Sequence, residues 1–231
     1  MPQRLLTWDS DHYGFPIARL DSPVSAETVS WCSSQNVRCA YWLIDAGDQR
    51  SIEWATENGF VLADVRMTLD HPLSGIDQTP SRLTRTGATE DRPVLVQLSP
   101  SLFAQSRFFT DTNFPLSRSQ RLYEIWMERS FAPSPNQTVL VTGAPGKVTG
   151  LITCSVDNKN HGTIGLYAVL RGSQGQGLGR ALLHSALIWF RTHGAKTLSV
   201  VTQGRAVEAQ RSYQNAGFRT CGVALWFHRW F

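Results

Sequence analysis

A glycine-rich segment carries the clearest chemical signal in the sequence: Gln174-Gly175-Gln176-Gly177-Leu178-Gly179-Arg180. It stands between an apolar stretch that predicts a strand, Thr163 to Val169, and an amphipathic pattern that predicts a helix, Gly179 to His193. Glycines let the backbone approach a ligand closely, and the first turn of a helix presents unpaired N–H groups with a partial positive charge. The segment therefore predicts a site for a pyrophosphate group.

Spacing separates the kinds of nucleotide-binding loop that a glycine-rich segment can form. A P-loop requires Gly-Lys-Ser/Thr at its end, but here Gly179 is followed by Arg180 and Ala181. A dinucleotide-binding fingerprint reads GxGxxG with an acidic residue about twenty positions later, whereas this segment reads GxGxG and Leu198 to Val201 contains no acid. A coenzyme A loop remains, with a tight turn of purely structural glycines as the alternative.

A repeat arranges the predicted elements into two similar units. The apolar patterns of the N-terminal part predict a strand, a helix and a second strand, and this succession returns 158 residues later. The first unit comprises Cys39 to Ile44, Gln49 to Glu57 and Phe60 to Leu69; the second comprises Leu198 to Thr202, Arg205 to Ala216 and Arg219 to Phe227. The constant offset predicts a structural duplication.

Two further helices and a hairpin are predicted between these units, over Arg92 to Ser99, Ser117 to Ser130, Thr138 to Thr142 and Val148 to Val156. The stretch from His71 to Thr89 is rich in Pro, Gly, Ser and Thr, which predicts a surface connection. We therefore expect an N-terminal unit over residues 1–85 and a second domain over residues 86–231.

Two spaced motifs resemble those of a known enzyme family. Gln174-x-x-Gly177-x-Gly179 is similar to the Q/R-x-x-G-x-G/A signature of the GCN5-related N-acetyltransferases (GNAT), and Ala209-x-x-x-Tyr213-x-x-x-Gly217-Phe218 resembles the family's second signature. Ala206 stands where that second signature has Asn, which removes a side chain that often helps to hold the cofactor. Over residues 88–231 the resemblance implies an α/β (α+β) fold with a mixed, mainly antiparallel sheet flanked by helices. The N-terminal unit then looks like a partial copy of that domain.

A narrower resemblance is to the nucleotide-sugar 4-N-acetyltransferases of the TDP-fucosamine type. The residues that carry it are Leu6-Thr7-Trp8, Tyr13-Gly14, Phe103 to Phe108 and Val201-Thr202-Gln203. This similarity implies transfer of acetyl from acetyl-CoA to the amino group of a TDP-type deoxyamino sugar. Acetylation of a peptide, a polyamine or an antibiotic amine, and a coenzyme A-binding sensor without turnover, are the alternatives.

The family resemblance also assigns roles to individual residues. Acetyl-CoA would be held by Val169, Leu170, Gln174, Gly175, Gln176, Gly177, Leu178, Gly179, Arg180 and the loop at Ala206. Tyr213 would protonate the departing thiolate, and a core tyrosine is the alternative.

The general base is less clear in the sequence, because the strand Thr163 to Tyr167 lacks the glutamate that many relatives use. Asp64, the lone acid of an apolar strand, is our candidate base through a water molecule, and an edge-strand carboxylate facing solvent is the alternative. His161 is a second candidate, although its neighbouring polar turn also explains it.

For the acceptor we expect Arg107, Phe108 and Asp111, because a guanidinium can clamp a diphosphate and an aromatic ring can stack on a base or hexose. Tyr123 and Trp126 fit either that role or core packing.

Composition narrows the partners and the environment. The chain has 231 residues, a net charge of +4, no run of Lys or Arg, and no apolar run long enough to cross a membrane. Its four cysteines form no CxxC pair, so no metal is expected. We expect a cytoplasmic protein with a small anionic ligand, without nucleic-acid or membrane partners, and a homodimer stays open.

Overall fold

The computed structural model describes residues 3–21, 23–77, 79 and 81–231, and within them the chain forms ten strands and eight α-helices. The strands are β1 Gln3–Leu5, β2 Ile17–Leu20, β3 Cys39–Asp45, β4 Val61–His71, β5 Thr84–Thr86, β6 Gln137–Ala144, β7 Lys147–Val156, β8 His161–Val169, β9 Thr197–Gln203 and β10 Arg219–Trp230. The helices are α1 Thr7–Tyr13, α2 Ala26–Ser34, α3 Gln49–Glu57, α4 Asp91–Leu102, α5 Arg107–Thr110, α6 Leu116–Ser130, α7 Leu178–Thr192 and α8 Val207–Asn215. Met1 and Pro2, and Gln78 and Pro80 of the predicted connection, lie outside the described residues.

All ten strands form one sheet in the order β1-β2-β3-β10-β4-β9-β8-β7-β6-β5. The pairs β2·β3 and β8·β9 run parallel, and every other neighbouring pair in this sheet is antiparallel. The prediction of a mixed, mainly antiparallel sheet is therefore confirmed. None of the helices in the described ranges is long and apolar enough to cross a bilayer.

Helices cover both faces of this sheet. Because side chains alternate along a strand, Leu151 of β7 packs with α4 and α6 on one face, while Ile152 packs with α7 on the other. A third apolar cluster centres on Trp42 and joins α2 and α3 to the N-terminal strands. We call the face that carries α4, α5 and α6 the α4–α6 face, and the site described below uses it.

The predicted duplication is present in the structure. Strand β3 and helix α3 recur as β9 and α8, each with bounds displaced by 158 residues. The strand registers repeat as well: Ala224 pairs with Asp45, and the equivalent pair, Arg66 with Gln203, also exists. An approximate two-fold axis between β4 and β10 therefore relates the two units.

The two units exchange strands across that axis. β10 of the second unit lies between β3 and β4 of the first, and β4 of the first lies between β10 and β9 of the second. Each exchanged strand carries a bulge at the equivalent place, since Ala63 in β4 and Cys221 in β10 have no opposite partner. One hydrogen-bonded sheet therefore spans the predicted boundary at residue 86, and the division into residues 1–85 and 86–231 describes sequence units within it.

The segment from His71 to Thr89 is more than the surface connection that the sequence predicts. His71 and Leu73 are buried, and the backbone N–H of Leu73 donates to Nδ1 of His71 at 2.9 Å. The imidazole packs on the ring of Phe218, with the ring centroids 5.0 Å apart. Thr84–Thr86 then adds an edge strand beside β6. Because the segment is mostly polar, its composition does not indicate that these few residues anchor it to the fold.

A buried carboxylate fastens the start of α4 to the hairpin β6–β7. Asp91 is fully buried and accepts two hydrogen bonds from the Arg85 guanidinium, at 2.6 and 3.0 Å. Its oxygens also accept from the backbone N–H of Ala88 at 2.7 Å and of Gly146 at 2.9 Å. The Arg85 hydrogen bonds, outweighing burial, lower the pKa of Asp91 to about 2.

Replacing this carboxylate should strongly destabilise the fold. We expect Asp91→Asn to lower the free energy of unfolding by about 3–5 kcal/mol, because it leaves Arg85 without its charged partner. Urea unfolding at neutral pH measures this, with the exposed Asp11→Asn as the matched control.

The pH dependence of the free energy of unfolding gives an independent check of the role of Asp91. The pKa of Asp91 is depressed from 3.8, so its stabilising contribution is complete above about pH 4 and is lost as the pH falls toward about 2. The stability of Asp91→Asn should lack this decrease between about pH 4 and pH 2. A variant within about 0.5 kcal/mol of wild type would show that the carboxylate does not hold the hairpin.

Candidate functional site

A slot opens between the two parallel strands β8 and β9. Their ladder runs from His161 with Thr197 to Ile164 with Val200 and ends there, although both strands continue. Beyond this point β9 pairs with β4 on its other side, and β8 pairs with β7. The facing edges of the carboxyl-terminal halves of β8 and β9 are therefore open to a ligand.

A bulge in β8 begins where the slot begins. Ile152 pairs with Tyr167 and Cys154 with Ile164, so Thr153 alone opposes two residues of β8. The backbone N–H of Leu166 donates to Oγ1 of Thr153 at 2.8 Å, which holds the extra residue in place. Because a bulge bends its strand, this local feature explains why β8 turns away from β9.

The glycine-rich loop closes the carboxyl end of the slot. Gly175 and Gly177 have φ of +78° and +76°, in the left-handed region that glycine adopts without strain. Helix α7 follows directly, and no side chain caps its N-terminus at Gly177. Its first backbone N–H groups are thus available to an anion, beside the exposed guanidinium of Arg180.

The remaining predicted cofactor residues surround this loop. The side-chain amide of Gln174 donates to the carbonyl of Val169 at 3.2 Å and ties the loop to β8. The backbone N–H of Leu170 donates to Thr149 at 2.9 Å, so it is engaged within the fold. Gln176 is exposed, and Ala206 lies in the turn between β9 and α8, with its N–H donating to Gln203.

Tyr213 lies against the wall of the slot. Its ring centroid is 5.4 Å from that of Tyr167, which belongs to the diverging part of β8. Burial, with smaller contributions from Tyr167 and Cys154, raises the pKa of the Tyr213 phenol well above its ordinary value. The phenol is therefore protonated at neutral pH, as a proton donor must be.

Asp64 lies in the middle of the sheet and not at an edge. It follows the Ala63 bulge and is only 5% exposed. Its Oδ1 accepts from the N–H of Val65 at 2.9 Å and lies 3.7 Å from Nε of Arg205. Burial, which outweighs the attraction of Arg205, raises the pKa of this carboxyl.

The cavity at Asp64 has a volume of about 260 Å³ and is lined by Leu62, Ala63, Asp64, Val65 and Arg205. A carboxylate with a raised pKa beside an open cavity can accept a proton from an entering ligand. This environment differs from that of the solvent-facing aspartate considered as the alternative.

Arg107 is held over three aromatic rings on the α4–α6 face. Its Cζ lies 4.3 Å from the centroid of Tyr41, 4.2 Å from that of Phe108 and 4.4 Å from that of Trp226. Its Nη1 donates to Nε2 of His228 at 2.5 Å. Within the described part of the chain, no carboxylate oxygen lies within 4.0 Å of this guanidinium.

His228 connects Arg107 to Asp111. Because Arg107 can only donate, Nε2 of His228 accepts and Nδ1 carries the hydrogen, which it donates to Oδ2 of Asp111 at 2.7 Å. Burial, against the effect of Asp111, lowers the pKa of His228 to about 4, so the ring is neutral at neutral pH. Burial also favours a protonated Asp111, but hydrogen bonds from His228, Trp230 and Asn113 lower its pKa to about 2.

The other sequence candidates lie away from the open surface of the site. Phe108 and Tyr123 are buried in the core of the α4–α6 face, where Trp126 packs against them. His161 lies at the paired ends of β8 and β9, hydrogen-bonded to the hydroxyls of Thr197 and Ser199. Within the described ranges, no cluster of three or more His, Cys, Asp or Glu could hold a metal ion.

Sequence reasoning missed Tyr41, Trp226 and His228. They come together because β10 lies beside β3, with Tyr41 opposite His228. The two-residue spacing of Trp226 and His228 along β10 can be read from the sequence, but the pairing of β10 with β3 cannot. Tyr167 was missed as well, since its position depends on the bulge in β8.

Comparisons with known proteins agree with this geometry. Residues 105–218 match the model of the Acetyltransferase (GNAT) family. A curated relative, the dTDP-fucosamine acetyltransferase of Escherichia coli O6:H1 (strain CFT073), is 27% identical over 97% of this chain and 96% of its own.

Solved structures share the fold. A GCN5-related N-acetyltransferase from Sphaerobacter thermophilus superposes with a TM-score of 0.70 at 13% identity, over 99% of this chain and 76% of that one. Another, from Kribbella flavida, gives 0.64 at 14% identity, over 99% and 86%.

The close approach of β8 to α7 explains the need for glycine at position 179. A Cβ there would collide with the hydroxyl oxygen of Tyr167. We expect Gly179→Ala to destabilise the protein by about 1–3 kcal/mol and Tyr167→Phe, which removes that oxygen, to restore most of the loss. Thermal unfolding of the single and double variants measures the coupling.

Gly172→Ala is the matched control, because beyond its chain neighbours no atom lies within 4 Å of a Cβ at that position. Equal effects of Gly179→Ala in the wild-type and Tyr167→Phe proteins would contradict the collision with the tyrosine hydroxyl.

Proposed function

We propose that the acceptor of this chain is the amino group of a TDP-type, nucleotide-linked deoxyamino sugar. The chain carries a GNAT acetyltransferase domain and is an acetyl-CoA-dependent N-acetyltransferase. The observation that carries the proposal is the Arg107 guanidinium, which is fixed over aromatic rings and has no carboxylate in ion-pair contact within the described residues. A cation held in this way favours an anionic substrate.

The slot between β8 and β9 supports the placement of acetyl-CoA. Its open strand edges offer backbone groups to the amide-containing arm of the coenzyme. At the end of the slot, the uncapped N-terminus of α7 and Arg180 offer N–H donors and positive charge to the pyrophosphate. Ala206 supplies no polar side chain, so the loop backbone carries more of the binding.

Acetyl transfer requires a neutral amine and a stabilised leaving group. The amine nitrogen attacks the thioester carbonyl carbon, the carbon–sulfur bond breaks, and the nitrogen loses a proton. We assign that proton to Asp64, through water, because its carboxylate is buried beside an open cavity. Tyr213 then donates a hydrogen bond or a proton to the departing thiolate.

The N-terminal unit supports a large acceptor. It contributes Asp64 and Tyr41, while the GNAT domain contributes Arg107 and Tyr213. The curated relative, whose name states action on dTDP-fucosamine, matches this chain along both units and not only along the GNAT domain. A cationic polyamine is disfavoured, because Arg107 would repel it.

Release of free thiol from acetyl-CoA tests the acceptor class. We would compare TDP- and UDP-linked 4-amino sugars with spermidine, a peptide and an aminoglycoside. Turnover confined to nucleotide sugars is the expected result. Turnover with another amine, and none with nucleotide sugars, would refute the proposed acceptor while leaving the acetyltransferase activity intact.

Removing the phenol of Tyr213 should slow the chemical step. We expect Tyr213→Phe to reduce kcat by about 100-fold, the usual size of a general-acid contribution, because the leaving thiolate loses its donor. KM for acetyl-CoA should change little, since the ring still packs in the core. Steady-state kinetics measure both constants, and an unchanged kcat would exclude Tyr213 as the donor.

Neutralising Asp64 should separate activity from stability. We expect Asp64→Asn to lower kcat/KM for the acceptor by about 100-fold or more. The raised pKa means that the buried carboxylate destabilises the fold increasingly as the pH rises through that pKa, so the variant should unfold at the same or a higher temperature near pH 7.

The matched control is Asp70→Asn, an exposed carboxylate on the same strand. In wild type, activity should fall as the pH decreases through the raised pKa of Asp64, and the residual activity of Asp64→Asn should lack this dependence. If Asp64→Asn has wild-type rates and loses activity at acidic pH as wild type does, Asp64 is excluded as the base.

A further inference from the structure

Two guanidinium groups contact the same indole ring on the α4–α6 face. Cζ of Arg19 lies 4.5 Å and Cζ of Arg107 lies 4.4 Å from the ring centroid of Trp226. Cation–π contact stabilises each of them, but two like charges held near one ring repel each other. An anion that reaches both groups would relieve this repulsion. We call these three residues the Arg19–Trp226–Arg107 cluster.

The protein neutralises this positive charge only in part. Asp21 lies 3.3 Å from Arg19 and 2.7 Å from Arg4, so one exposed carboxylate serves two guanidinium groups. Asp9, Asp64 and, through His228, Asp111 lie near Arg107, but within the described residues none of these carboxylates forms an ion pair with it. The Arg107 guanidinium therefore stays available to an anionic ligand that contacts it directly.

Strand register orders the cluster relative to the candidate base. Trp226 lies directly opposite Asp64 of β4, and Arg19 lies directly opposite Tyr41 of β3. Opposite residues share a face of the sheet, and neighbouring strands are about 4.8 Å apart. Across the sheet Trp226 is opposite Leu43, and Tyr41 is opposite His228, so Arg19 on β2 lies two residues to one side of the Asp64–Trp226 row, on the same face, and its guanidinium still reaches the indole. One strand spacing separates the base from the indole.

We infer that the Arg19–Trp226–Arg107 cluster binds the pyrophosphate of the acceptor, which directs the sugar amine toward Asp64 and the nucleoside toward β2 and β1. This inference rests on the proposed acceptor class and adds Arg19 and Trp226 as residues that determine its specificity. In a nucleotide 4-amino sugar only the hexose ring and one bridging oxygen separate the amine from the first phosphate. That order matches the order of Asp64 and the two arginines.

Guanidinium chemistry suits this ligand. Arginine donates two parallel hydrogen bonds to phosphate oxygens, and the second guanidinium can engage the second phosphate. The sequence positions of the two arginines explain why both units are needed: Arg19 comes from the N-terminal unit and Arg107 from the GNAT domain.

Binding of TDP, which has the pyrophosphate but no amine, tests the inference by calorimetry. We expect TDP to bind wild type and thymidine to bind much more weakly. Arg19→Gln should weaken TDP binding by about 10- to 100-fold, the range for a lost charge-assisted contact, and Arg19→Lys by less. Neither variant should alter the Kd for acetyl-CoA, whose pyrophosphate is assigned to α7.

Arg50→Gln is the matched control, because it makes the same charge change at an exposed position of α3, which packs on a different core cluster. If TDP binds wild type and Arg19→Gln equally well, the cluster is not the pyrophosphate site. If neither TDP nor UDP binds wild type, the proposed acceptor class itself fails. Equal weakening by Arg50→Gln would show a general charge effect and also overturn the inference.

Discussion

The exchange of strands between the two units is the constraint on which the rest of the structure depends. β4 and β10 lie side by side in the sheet, and each is flanked on both sides by strands of the other unit. Neither unit could keep this arrangement alone, because its last strand would lose both hydrogen-bonding partners. The exchange also brings residues that are far apart in sequence into one row on the α4–α6 face.

The two units have the same plan but different chemistry. In the second unit, α7 follows a glycine loop and its N-terminus is uncapped; in the first, α2 starts with a capping box of Ser25 and Thr28. Tyr213 has Ala55 as its equivalent, and Asp64 has Gly222. Within the described residues of the first unit, no glycine loop leaves the N-terminus of α2 open to an anion, and we assign the acceptor side of the candidate site to this unit.

Much of the fold could be predicted because local patterns determine it. The glycine loop and the helix after it are encoded in one short segment, and the 158-residue offset follows from the similarity of two short segments. The structure contains all three features. The offset even implies the equivalence of the two bulges. The short elements α1, α5, β1, β2 and β5 were not predicted, because they have too few residues to develop a periodic pattern. Helix α2, although as long as α3, was not predicted because its apolar residues are not concentrated on one face.

The candidate site could be predicted only in part, for a different reason. Arg107 and Asp111 were singled out by residue type, but their link through His228 depends on how β10 pairs with β3. Likewise, the burial of Asp64 follows from the insertion of β4 between two strands of the second unit. Such contacts arise from the topology of the whole sheet, which no local segment encodes.

The most direct measurement is the kcat/KM for a TDP-linked 4-amino sugar relative to the same amino sugar without its nucleotide, in wild type and in Arg107→Ala. If Arg107 binds the anionic part of the acceptor, wild type should strongly prefer the nucleotide-linked sugar. In Arg107→Ala, the ratio of kcat/KM for the nucleotide-linked sugar to kcat/KM for the free amino sugar should fall by at least about tenfold. A preference that is unchanged in Arg107→Ala, or absent in wild type, would contradict an acceptor site built around this guanidinium.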